Sequence, residues 1–552
     1  AQTKLNELRG LSVSDEYVIA FDPTRFINLP KRVVSGLDLE NLFTTGEISY
    51  QRISKLSRSE NPQDRLYAAE LISNMEDTEL KYLLVELLGD PDDKVRITAM
   101  KAGVKNYNYE VLNAIIENLD YLRLSNVAAN SLVQIGNDAL NALDSAFYRV
   151  GQSVTVMTKI IRILGRIGSR PAMENLWAKI DFPDKIVVSE VLDSLGDCNF
   201  KASIRQITRI KYAIENDIED IAWNLAAIGE IPDNQIGRDL RLAVEEENHH
   251  DIEHIYVLLS MLYDSKTIQL VKENLSSRTS EGITYAIELL DVFLSDDLKQ
   301  KIIPVLDDLP VFDKARKLEA FFPRESLGSK EVLKFLINRD YNQTNRWSKA
   351  CALKQIAMMK IHDYSIDLIA NLFNPDLLVS ETAAWALFHL DPKLFHENIS
   401  RLNPEFKRLI SETVIGTKEN DKKILKLEKV KFLKNMRIFN EVPGRILANL
   451  VDYIEEVTMH EGTSYPLQGN NSDYFFIIYS GEVNYYSDGK KVRNMRRQYF
   501  IGELADSEDA DSSLLIAQEK ALLFKISKEK FYEQLSDNFN FANQVIRYLY
   551  AG

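Results

Sequence analysis

Cysteine is almost missing from this 552-residue chain: Cys198 and Cys351 are the only two, and they lie far apart. No disulfide framework can be built from such a pair, and a reducing compartment fits best. Positive charge is also scarce. The 67 Lys and Arg are outnumbered by 82 Asp and Glu, giving a formal net charge of -15, which argues against general nucleic-acid binding through a basic face. There is no apolar run of about 18 residues that would cross a membrane as a helix, and no basic segment leading into an apolar stretch as in a signal peptide. Gly-x-x-x-x-Gly-Lys, a nucleophile elbow, Cys-x-x-Cys and His-Glu-x-x-His are all lacking, so neither an enzymatic activity nor a cofactor is expected. The chain starts at Ala1 rather than Met. That fits a processed or tagged end, or the soluble part of a longer protein.

What is present is the composition of a folded protein, 45% hydrophobic and 27% charged, in a chain too long for one core. The first pattern is self-similarity. Asn61-Pro62-Gln63-Asp64 recurs as Asp90-Pro91-Asp92-Asp93 and again as Asn374-Pro375-Asp376-Leu377. Each copy opens an apolar stretch with alanines: Ala68-Ala69, Ala99 and Ala102, Ala383-Ala384. An Asn or Asp before Pro suits a helix start, where the side chain satisfies free amides and proline fits the first turn. Further units begin near Leu124, Val154 and Ile186, about thirty residues apart, and the stretch 200–340 is equally helical but less regular. Paired helices at this period, with the Asp-Pro entry and the Val95-Arg96 dipeptide, resemble HEAT repeats. The resemblance implies an α-solenoid over residues 51–415 whose long concave surface binds proteins. Residues 1–50, interrupted by Pro23 and Pro30, are expected to be a linker or N-terminal cap.

From residue 425 to 552 the period changes. Two helical segments, Leu425–Leu433 and Ile446–Leu450, are followed by strand-like runs at Tyr474–Tyr479, Val483–Tyr486, Lys491–Met495, Leu514–Ala517 and Ala521–Ile526, with a hairpin signal at Asp488-Gly489. Phe531–Tyr550 reads as helix with a break near Asp537. Helices, about eight strands and helices again, with Glu461-Gly462 beginning a strand, Gln468-Gly469, Gly481-Glu482-Val483, Gly502-Glu503-Leu504-Ala505 and then Ala517 and Glu519, resemble the cyclic-nucleotide-binding domain. The fold expected is therefore multidomain: an all-α solenoid plus a C-terminal β-roll or jelly roll with flanking helices. The resemblance implies that Gly502, Glu503 and Leu504 head a phosphate cassette. Glu503 would meet the ribose hydroxyl, Ser512 or Ser513 would contact the phosphate, and an arginine would neutralise it.

That arginine's position holds Asp511. Unlike charges roughly 4 Å apart attract by about 4 kcal/mol at an effective dielectric of about 20, and an acid there reverses the sign. Asp506, Glu508 and Asp509 crowd the same segment. A degenerate, non-sensing domain is expected, with functional cyclic-nucleotide sensing as the alternative if Arg493, Arg496 or Arg497 supplies the cation. Phe541, Tyr548 and Tyr550 either cap a pocket or belong to the core.

One other cluster is chemical in type. His250 and His254 share one helix face with Glu246 or Glu247 a turn back, a spacing that can hold a divalent metal; the expectation is nevertheless a solvated acidic helix end with no metal, these two histidines being the candidates for the alternative. A metal-dependent HEAT-repeat enzyme is the remote reading of this cluster, and His396-Glu397 and His460-Glu461 lack the partners such enzymes use. A solenoid followed by this β-domain is similar to the soluble region appended to bacterial ATP/ADP-translocase-like proteins of the major-facilitator type. Tyr263–Ile268 and Arg339–Asn342 add to that likeness. It implies a cytoplasmic scaffold or regulatory protein at the inner membrane face whose partner is a protein such as a membrane transporter.

Overall fold

A computed structural model describes residues 50–73, 80–324, 327–416, 423–467, 471, 473–487, 489–502 and 513–551. The expected N-terminal cap therefore lies almost wholly outside the described residues, as do Gln468, Gly469 and Glu503–Ser512. Among the described residues, no helix is long and apolar enough to cross a membrane.

The N-terminal part is all helical and packs in two layers. In the first, Pro62–Ser73, Asp93–Gly103, Leu122–Ile135, Val154–Ile167, Lys185–Asp197, Arg238–Leu262, Arg346–Met358 and Leu377–Leu390 each pack on the next. In the second, Leu80–Leu88, Tyr109–Glu117, Leu140–Phe147 and Arg170–Trp177 stack likewise. The irregular stretch has a physical cause. Ile204–Glu230 and Arg238–Leu262 form a long hairpin, and Ser265–Ser276, Ser280–Phe293, Asp296–Leu306 and Val311–Glu319 branch away and fold back on its first arm.

The recurring turns work differently from the sequence expectation. Pro62 does open its helix, but in the later copies the cap is the residue after proline. Asp92 accepts from the amides of Lys94 and Val95, and Asp376 from Val379. The Asp and Asn before proline instead fold the turn itself: Asp90 Oδ1 accepts from Asp92 N at 2.8 Å, and Asn374 Oδ1 from Asp376 N at 2.9 Å. These acids also tie neighbouring units together, Arg65 to Asp90 at 2.6 Å and Arg346 to Asp376 at 2.9 Å.

The helices Lys426–Lys434 and Gly444–Val451 lead into eight strands: β1 (Ile454–Met459), β2 (Ser464–Pro466), β3 (Tyr474–Ser480), β4 (Val483–Ser487), β5 (Lys490–Met495), β6 (Phe500–Ile501), β7 (Leu514–Ala517) and β8 (Ala521–Ser527). They form two four-stranded antiparallel sheets, ordered β1-β8-β3-β6 and β2-β7-β4-β5. Glu461-Gly462, expected to begin a strand, is instead the turn between β1 and β2, with Gly462 at φ +75°. The first sheet is covered on both faces, which is why β3 is continuously apolar rather than alternating. Phe476 and Ile478 face the opposing sheet. Phe475 and Ile477 join the helical core, where Phe475 meets Phe531 at 5.1 Å and Phe531 meets Phe541 at 5.3 Å. Phe541 is thus a core residue. The last helices, Lys528–Asp537 and Phe539–Ala551, close this side.

One hydrophobic core runs without interruption from Ala227 and Trp347 of the helical part to Phe524 and Val545 of the sandwich part. Gly444 shows how close the approach is, because a Cβ there would strike the Trp347 indole.

Candidate functional site

Two places concentrate polar chemistry. The first is the mouth of the sandwich. Alternate residues of β4, β5 and β7 face the opposing sheet, and Val483, Met495, Leu515 and Ala517 fill the interior. One step outward, the same face carries Tyr485, Arg493 and Ser513, with Tyr485 paired to Arg493 and Leu515. The Tyr485 hydroxyl lies 3.2 Å from Ser513 Oγ. Arg493 donates to the Tyr499 hydroxyl and sits 5.6 Å above that ring. The other two arginines point elsewhere. Arg496 pairs with Glu482 at 3.0 Å, and Arg497 lies over Phe432 and Tyr479 at 5.5 and 5.7 Å. Gly502 ends β6 at φ +131°, where a Cβ would come within 2.5 Å of Phe475, so the position requires glycine. Glu503, Leu504, Asp511 and Ser512 lie outside the described residues.

The second place is the junction between the helical part and the C-terminal domain. Here the expectation of a solvated helix end is overturned. His250 and His254 lie in the middle of Arg238–Leu262, where the helix packs on Lys185–Asp197 and on Arg346–Met358. Their rings are 4.2 Å apart and share Ser189 Oγ, at 3.2 and 2.7 Å. Arg445, from the C-terminal domain, reaches His250 Nδ1 at 3.0 Å. The two glutamates are used elsewhere. Glu246 accepts from Gly444 N at 2.7 Å and pairs with Lys434. Glu247 accepts from Asn345 N and Nδ2 at 3.0 and 2.7 Å.

The acids that do approach His254 are Asp251, one turn back, and Asp217, from the other arm of the hairpin. Lys185 reaches Asp251 at 2.9 Å and Asp220 at 3.3 Å, and Arg339 reaches Asp220 at 3.3 Å. Burial drives His254 down to about 3, pushes Glu247 up to about 7 and raises Asp251 to about 6, the last against the pull of Lys185. Burial and the neighbouring Asp251 push Asp217 up well beyond the carboxylate range. Asp217, Asp220 and Lys185 carry no local signal in the sequence. They are ordinary surface-type residues until a hairpin and a helix 20 or more positions away bring them together.

No protein-family profile matches the chain. Solved structures resemble its C-terminal quarter. The sensor domain of the transcriptional regulator DNR from Pseudomonas aeruginosa aligns at 20% identity over 23% of this chain and 89% of its own, with a TM-score of 0.21. A cyclic nucleotide-binding-like protein from Brucella abortus aligns at 18% identity over 20% of this chain and 98% of its own, with a TM-score of 0.18. The regulatory domain of Toxoplasma gondii PKA with cAMP aligns at 20% identity over 20% of this chain and 45% of its own, also with a TM-score of 0.18.

Proposed function

We propose that this protein is a non-enzymatic regulatory scaffold: a HEAT-like helical array that binds a protein partner, with a degenerate cyclic-nucleotide-binding-like domain that sets the array's geometry. The observation that carries this reading is the double anchoring of the C-terminal domain on the first helical layer. At one end Arg346 binds Asp452 at 2.7 Å and Lys431 binds Asp239 at 2.7 Å. At the other, Lys159 of Val154–Ile167 binds Glu533 at 3.2 Å, with both side chains almost buried. A domain held at two separated points transmits any change in its own shape to the helices between them. A ligand or partner drives such a change only if it binds one arrangement better than the other. The order of array and sandwich, and the likeness to the region appended to translocase-like transporters, favour a membrane protein at the cytoplasmic face of the inner membrane as that partner.

A second reading, true cyclic-nucleotide sensing, is favoured by one observation. Arg493 pairs in register with Tyr485, whose hydroxyl meets Ser513, and although exposed it offers an anion at the sandwich mouth a guanidinium that Asp511 does not. Calorimetry on the full chain with cyclic AMP and cyclic GMP separates the two. The scaffold reading expects no saturable heat. Micromolar binding lost in both Glu503→Ala and Arg493→Ala would replace it with the sensor reading.

A further inference from the structure

The junction crowds buried acids together. Four carboxyl groups converge there, Asp217, Asp220, Glu247 and Asp251; Lys185 and Arg339 reach them directly, and Arg445 and Lys349 act on Asp251 and Glu247 through space. Beside this group Lys434 pairs with Glu246 in direct contact, while Arg445 is shared through space between Asp193 and the cluster's own Asp251 and Glu247. Carboxyl groups buried this closely together are accommodated by taking up protons or a divalent cation.

Three of the residues supply donors for a cation. One oxygen each from Asp217 and Asp251 and one ring nitrogen of His254 lie within 4.8 Å of one another. A small inward rotation brings such atoms to bonds of about 2.1 Å on a common ion. Asp251 and His254 project together because they stand three apart on one helix, and Asp217 meets them from the facing arm. Independently of this spacing, Asp217 Oδ2 is buried without a hydrogen-bond partner. A cleft of about 290 Å³, lined by Asp217, Asp220, His254, Lys185 and Asn342 among others, leads to the cluster. It supplies an entry path and room for water ligands. Ser189 holds the imidazole at 2.7 Å, as second partners of ligating histidines do. Lys185 remains on Asp220 and on one oxygen of Asp251, leaving the other for the ion.

We propose that Asp217, Asp251 and His254 form a binding site for a divalent transition metal, Mn2+ or Zn2+, which clamps the hairpin of residues 204–262 beneath the C-terminal domain. Two oxygens and one imidazole suit either ion. The test is a titration of chelator-treated full-length protein with MnCl2, followed by electron paramagnetic resonance, with ZnCl2 as competitor and the melting temperature as a second readout. The expected result is one saturable Mn2+ per chain, displaced by Zn2+, and a higher melting temperature with either ion. Asp217→Asn, which preserves shape and removes a buried charge, should weaken binding at least tenfold, abolish the metal-dependent rise in melting temperature and keep the wild-type circular dichroism spectrum. His254→Gln should weaken binding similarly, and His396→Gln, on the surface, should leave it unchanged. Absence of saturable Mn2+ binding by the wild type, or binding that survives both site variants, overturns the proposal and assigns the charge balance to protons.

Discussion

At the residue scale, the junction is governed by what burial does to acids. Glu381 is a clear case away from the histidines. It is 5% exposed, it accepts from Lys426 N at 3.0 Å where the C-terminal domain begins, and Thr413, Lys426 and Lys429 are its other polar neighbours. Burial is the largest influence and raises its pKa, while those neighbours pull the other way. A carboxyl whose folded pKa exceeds its unfolded one lends stability that is complete below the unfolded value and lost as pH rises through the folded value. Wild-type protein should therefore lose stability relative to Glu381→Gln as pH climbs from about 4.5 toward neutrality, because glutamine keeps the acceptor for Lys426 N and does not titrate. Glu381→Ala should be less stable than both across the range, by about 1–3 kcal/mol, since it strands a buried amide. Melting curves at a series of pH values decide the matter. Parallel curves for wild type and Glu381→Gln would remove the charge from this account.

At the scale of the element, the helix starts carry the repeat. Asp376 caps Leu377–Leu390 through Val379 N at 3.1 Å and stands 2.9 Å from Arg346 of the preceding first-layer helix. Asp376→Ala removes both contacts and should cost about 1–2 kcal/mol. Asp376→Asn keeps the cap and should cost under about 1 kcal/mol. Urea unfolding of the two variants measures the split, and equal losses would show that the ion pair, not the cap, holds the turn. These starts were legible because a cap is a local event: proline, an acid or amide and a following apolar run lie within ten residues. The two-helix prelude, the strand runs and the break after Asp537 were legible for the same reason. The branch formed by residues 265–319 was not, because alternation along a helix does not say which neighbour covers its apolar face. Nor was the junction. Asn342 donates from Nδ2 to Pro183 O at 2.7 Å and accepts at Oδ1 from Lys185 N, across more than 150 positions, and no spacing rule relates such residues. His250 and His254 stood out as a pair, but their surroundings came from helices whose sequences gave no hint of them. At the sandwich mouth, Gly502 follows β6 and Ser513 precedes β7, and the register of β5 sets Arg493 opposite Tyr485.

At the scale of the whole molecule, two cores meet in one hairpin. Ile210 through Ala226 and Ile255 through Met261 belong to the core of the first helices, whereas Ala227 through Val244 belong to the core shared with the sandwich. The second core joins Arg346–Met358, Leu377–Leu390, Lys426–Lys434, Gly444–Val451, β3 and β8. Opening the sandwich would expose Trp347, Phe432, Phe475 and Phe524 together, so no part of this unit can unfold at small cost without the rest. Helices that touch only their neighbours, such as Pro62–Ser73 and Asp93–Gly103, open by local terms. Native-state hydrogen exchange on the full chain should therefore give the slowest amides of β3, β8, Leu377–Leu390 and Arg346–Met358 one common opening free energy with one common denaturant dependence. The amides of Pro62–Ser73 should open at lower free energy and with a smaller dependence, reflecting less exposed surface. If β3 and β8 instead exchanged as a separate unit, well below the helices 346–390, the sandwich would be an independent domain tethered to the array. Changes within it would then have no mechanical route to the helices.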